Sequence, residues 1–176
     1  MFRASRALFV LCLTLSVPAS IAAQSASDGY RLPYEIVKGN ITKAAAQMSE
    51  ANYSFKPTPE VRSFGQLVGH IANANFMICS GASGEKSPST VDAEKLATKA
   101  EIQKALAASF EFCDKAWTTV QGARGSVAVD LFGMKFNGAS AMSFNSTHEW
   151  EHYGNIVTYM RLKGMVPPSS QGGGMN

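Results

Sequence analysis

The sequence predicts an all-α protein, an antiparallel four-helix bundle with a longer crossover connection before the last helix. Four segments carry apolar residues spaced three and four apart, none shows convincing strand alternation, and Gly- and Pro-rich stretches separate them. Amphipathic helices with no sheet to cover bury their stripes against one another.

The chain opens with an export signal rather than with the fold. Arg3 and Arg6 precede an apolar run from Ala7 to Val17, and the small residues Ala19, Ser20, Ala22 and Ala23 follow. The run is shorter than the roughly 20 residues a membrane span needs. Residues 1–23 therefore read as a cleaved signal, leaving no stable membrane anchor after processing and a secreted or periplasmic protein. Cys12 follows Leu11 where lipid attachment would want a small residue, which argues against a lipoprotein. The chain holds 16 Lys+Arg and 13 Asp+Glu, and loss of Arg3 and Arg6 brings the two signs close to balance. That argues against a nucleic-acid binder, which would want a basic patch. Roughly 150 residues remain, enough for one domain with a core of its own.

Residues 24–33 read as a polar leader ending at Pro33, and the domain as residues 34–170. The first helix runs from about Tyr34 to about Ala51, with Tyr34, Val37, Ile41, Ala44, Ala45 and Met48 inward. Lys56-Pro57-Thr58-Pro59 cannot continue a helix. The second opens at Ser63, whose capping box is completed by Gln66, and ends near Cys79. Its stripe is Phe64, Leu67, Val68, Ile71, Ala74 and Ile78, with His70 at the edge. A polar loop follows, with a short turn at Val91 to Leu96. The third opens at Thr98 with a second capping box to Glu101, and buries Ile102, Leu106, Phe110, Cys113, Trp117 and Val120. Gly122 to Gly138 is the longer connection, with room for a crossover or a short hairpin. The fourth runs from near Ser140 to Lys163, stopped by Gly164 and Pro167-Pro168. Residues 171–176 read as a disordered tail.

Beyond the signal only Cys79 and Cys113 remain. An oxidising compartment allows one intramolecular bridge between them, against the alternative of two buried free thiols.

The three histidines carry the functional signal. His148 and His152 lie one turn apart, so both imidazoles share a face and can reach one ion. His70 borders the inward face of the second helix, and bundle interiors build metal sites from facing helices. Three neutral imidazoles suit a divalent transition metal, and three protein ligands leave a position for water or substrate. The alternative is a His pair on a solvated face with an unrelated core His70. His148-Glu149-Trp150-Glu151-His152 also matches the H-E-x-x-H signature of zinc proteases. Residues 153–176 hold no His, Asp or Glu to supply the downstream ligand, which leaves the protease a minor alternative.

Ser63-Phe64-Gly65-Gln66-Leu67-Val68-Gly69-His70-Ile71-Ala72 resembles the second-helix motif of the DinB-like (damage-inducible) metalloprotein superfamily. The run from His148 to Gly164, with its spaced histidines, Tyr153-Gly154, and then Arg161 and Gly164, resembles that family's last helix. The resemblance spans about Tyr34 to Ser170. It implies a four-helix bundle in which His70, His148 and His152 hold one divalent transition metal, Zn or Ni, sometimes paired as a homodimer. Some relatives are metal-dependent transferases that join a small thiol to an electrophile. The expected function is therefore a metal-dependent thiol S-transferase or hydrolase acting on a small-molecule electrophile, with a non-catalytic exported metal-binding bundle as the alternative. Asn145, Glu149 and Tyr159 are candidates for a base, a partner to a ligand, or a substrate contact. For Glu149 and Glu151 a solvated helix face is the plainer reading.

Overall fold

The computed structural model describes residues 28–172. The expected signal and most of the expected tail lie outside them. Four α-helices form the body: α1 (Asp28–Gln47), α2 (Phe64–Ser83), α3 (Lys99–Val120) and α4 (Gly138–Leu162). A two-stranded hairpin, β1 (Ala128–Leu131) and β2 (Met134–Asn137), precedes α4. Among the described residues, no helix is long and apolar enough to cross a membrane. Tyr34, Ile41, Phe64, Ile71, Ile78, Trp117, Met142 and Ile156 are fully buried, so every helix contributes to one core.

Both expected capping boxes form, Ser63 with Gln66 and Thr98 with Glu101. A third, Asn137 with Ser140, opens α4. The start of α1 corrects the expected polar leader, since the helix begins at Asp28 and runs through Pro33. A proline near a helix start forgoes only one backbone bond, here to the carbonyl of the exposed Gly29. Tertiary contacts hold the extra turn. Trp150 Nε1 donates to the Pro33 carbonyl at 3.2 Å, and the Arg31 guanidinium lies over the Trp117 ring.

Helix directions come from which residues meet. Tyr34 bonds Asp114 while Lys99 bonds the Met48 carbonyl, so α1 and α3 are antiparallel. Tyr159 bonds the Arg62 carbonyl just ahead of α2, while Gly138 lies against the Ala82 carbonyl, so α2 and α4 are antiparallel too. Asn75 bonds Ser109 and Cys79 is bridged to Cys113, so α2 and α3 run parallel. That relocates the crossover, expected before the last helix. The strap that returns along the bundle is residues 84–98, between α2 and α3, because two parallel neighbours require it. Residues 121–137 stay at one end and hold the hairpin instead.

The hairpin turn is Phe132-Gly133, with φ of 56° and 73°. Two positive φ values match the tight turn whose twist suits paired strands, and Asn-Gly is its favoured sequence. Phenylalanine there is strained by about 1–2 kcal/mol.

The Cys79–Cys113 disulfide is fully buried and closes a separation of 34 residues. Constraining the unfolded chain over such a loop is worth about 3–4 kcal/mol. Cys79→Ala with Cys113→Ala should lower stability by that order, read as a lower urea midpoint with a steeper slope, because the unbridged unfolded chain exposes more surface.

Candidate metal centre

His70 comes from the middle of α2, and His148 and His152 from successive turns of the antiparallel α4. One ligating nitrogen from each ring lies within 4.8 Å of the others. The Nε2 atoms of His148 and His152 are 3.0 Å apart. The His70 ring centre is 4.7 Å from that of His152 and 5.5 Å from that of His148. His152 is buried and the other two are half-buried.

His70 Nδ1 is 2.8 Å from Glu94 Oε1, and Arg62 Nε donates to Glu94 Oε2 at 2.9 Å. With Nδ1–H donating to this carboxylate, His70 keeps its Nε2 lone pair for a cation. Glu94 rides on a 3-10 turn of the strap, Ala93–Lys95. Asn73 of α2 pins that turn by accepting from the Ala93 N–H at 2.9 Å and donating to Asp92 at 2.7 Å. Sequence reasoning passes over Glu94, which stands in a polar stretch. The one local signal is Asp92, which caps the turn.

Burial holds the His148 imidazole below its usual range, helped by nearby His70. Burial, then His148 and His70, press His152 down to about 4. Burial pushes the Glu94 carboxyl up, but the bonds from Arg62 and His70 outweigh it and hold the group ionised. Neutral imidazoles beside an oriented carboxylate are the form that binds metal. His148 and His152 each also bury an Nδ1 with no hydrogen-bond partner among the described residues. Since their Nε2 atoms face each other, each ring in its Nδ1–H form can aim an Nε2 lone pair at a shared cation. Nitrogens around a tetrahedral Zn stand roughly 3.4 Å apart, given bonds of about 2.1 Å, so the donor set fits such an ion.

Beside the triad a cleft of about 680 Å³ opens, lined in part by Arg62, Glu94, His152, Asn155, Thr158 and Tyr159. Tyr159 donates to the Arg62 carbonyl at 2.6 Å and so fixes the residue that clasps Glu94.

Asn145 and Glu149 lie elsewhere. Glu149 is fully buried and accepts from Asn145 Nδ2 at 2.8 Å, on the side of α4 that feels Lys38 and Asp114. A residue next to a helical ligand points about 100° away from it, so Glu149 faces the core while His148 faces the groove. It is neither on a solvated face nor beside the triad; Glu151 is the exposed one.

Burial pushes the Glu149 carboxyl well above its usual range, despite the Asn145 bond. An acid raised in the folded state keeps its proton where the unfolded chain gives it up. Its stabilising contribution is present below the unfolded value near 4.5 and is lost as pH rises from there toward the folded value. Glu149→Gln should remove that decline and add on the order of 1 kcal/mol at pH 7, seen in denaturation at pH 4.5 and 7.

A helical bundle with three converging imidazoles between two antiparallel helices defines the class as a histidine-triad bundle protein. The chain belongs to the DinB superfamily, whose family model matches residues 34–156. No curated protein matches the chain significantly. Two solved structures share the fold. A DinB-like protein from Bacillus cereus matches with a TM-score of 0.66 at 17% identity, over 80% of this chain and 95% of its own. A DinB-like protein from Bacillus subtilis matches with a TM-score of 0.58 at 18% identity, over 81% of this chain and 98% of its own.

Proposed function

We propose that the protein is exported and binds one divalent transition metal, Zn or Ni, through His70, His148 and His152, acting on a small electrophile as a thiol S-transferase or hydrolase. The carrying observation is the convergence of three imidazoles at the edge of an open cleft. Bound there, the ion would lower the pKa of a thiol or water and so supply a nucleophile at neutral pH. Glu94 orients His70, Arg62 holds Glu94, and Tyr159 holds Arg62. Arg62 also stands at the cleft, where its charge can orient an anionic group on a thiol or electrophile.

Export is supported by the charged and apolar start of the chain and by the Cys79–Cys113 bridge, which suits an oxidising compartment; cell fractionation checks it. Pairing of two copies through a helical face belongs to the same proposal, and sedimentation checks it.

The test compares metal-loaded protein, metal-free protein and the His70→Ala variant on a panel of small electrophiles, with and without a low-molecular-weight thiol. Metal-dependent conjugation or hydrolysis is expected only from the first. One bound metal with no turnover on any member would favour the non-catalytic metal-binding bundle. The protease alternative lacks its base, because Glu149 is sealed in the core with Asn145.

A further inference from the structure

We propose that Phe132, Phe136 and Phe144 form an aromatic shelf that binds a flat apolar part, an aryl group, of the molecule presented to the histidine triad. The proposal rests on the metal-binding reading above and adds the substrate class.

The shelf begins at the triad. Phe144 precedes His148 by one turn of α4, and their ring centres are 6.2 Å apart. The Phe136 ring lies 5.3 Å and the Phe132 ring 6.0 Å from Phe144, both from the hairpin. The hairpin is seated in the groove that holds the histidines. Leu131 packs so closely on Gly81 of α2 that a Cβ there would collide with it. Gly81 follows His70 by about three turns and so shares its face. Met77, two turns after His70 on that face, leaves its side chain 49% exposed.

Three features mark the shelf as a binding surface rather than spare core. Phe132 is 55% exposed, so it contributes little burial. It also holds a positive φ that bulky residues avoid, and strain that buys no packing is found where a contact is required. The charges nearby, Asp130 and Lys135, neutralise each other across the hairpin. On the other side of the triad the cleft carries charged and polar groups, Arg62, Glu94 and Tyr159 among them. A molecule spanning both would place a polar or anionic end in the cleft, its reacting atom at the triad and an aryl group on the shelf.

The test uses the full chain loaded with Zn or Ni and two nitrogen ligands, imidazole and 4-phenylimidazole, titrated by calorimetry. In wild type the phenyl group should tighten binding by about tenfold. In Phe132→Asn, and separately in Phe144→Leu, that ratio should fall toward one. Asparagine suits the turn, so Phe132→Asn should melt no lower than wild type, which separates lost contact from lost fold. A ratio near one in wild type, or a ratio unchanged in both variants, overturns the shelf while leaving the metal site standing. Failure to take up metal, or to bind imidazole when loaded, overturns the metal reading and the shelf with it. If Phe132→Asn changes only the oligomeric state, the patch is a contact between copies and the proposal fails.

Discussion

Replacing His70 with alanine should lower Zn or Ni affinity on the order of a hundredfold to a thousandfold, as loss of one strong ligand implies. The same loss is expected for His148→Ala and His152→Ala, because each ring supplies one nitrogen of a single cluster. Thermal melting gives an independent reading. A ligand held at a thousand times its dissociation constant stabilises by about 4 kcal/mol, on the order of 10 °C for a chain of this size. Wild type should gain that shift at a metal concentration where the variants gain little. Glu94→Gln should fall between, at roughly ten- to a hundredfold weaker, since it removes the charge that orients His70 but no ligand. Acid should act on the metal-free fold through the same rings. His148 and His152 are held below the unfolded value of 6.5, so their contribution is present above it and is lost as pH falls through the window toward about 4 for His152. Full metal retention by His70→Ala would dissolve the triad as a site.

Gly69→Ala should destabilise the protein by about 1–3 kcal/mol and weaken metal binding in the same stroke. In a helix interior, alanine normally gains up to about 1 kcal/mol over glycine. Here the added Cβ would lie 2.6 Å from the Ala93 carbonyl carbon and 2.8 Å from the Glu94 nitrogen, both backbone atoms. Backbone cannot rotate away, and Asn73 ties the same turn to α2. The strap must move outward, carrying Glu94 from His70. Gly39→Ala and Gly154→Ala are matched controls, since a Cβ at either meets nothing within 4 Å. They should raise stability by about 0.5–1 kcal/mol. A Gly69→Ala variant that behaves like these controls would show that the strap does not press on α2.

Much of the architecture was legible. The stripes at Val37 to Met48 and Ile102 to Val120 have helical spacing, and Ser63 with Gln66 and Thr98 with Glu101 mark two starts within a residue. The additional turn of α1 was not, because Pro33 argues against it locally and Trp150, far along the chain, supports it. The hairpin was obscured by Phe132, which stands where turn chemistry asks for Asn. Glu149 looked like a solvated acid beside two histidines, and only the packing of α4 against α1 and α3 turns it inward.

By itself the sequence determined four helices, the capping boxes at Ser63 and Thr98 and the His148–His152 pair, because each depends on residues within a turn or two of one another. Helix direction, the place of the crossover, the pairing of Cys79 with Cys113, and the meeting of His70 with both Glu94 and the α4 histidines were decided by tertiary structure. Those depend on which faces of distant segments bury each other, and that choice is made by packing the whole bundle at once.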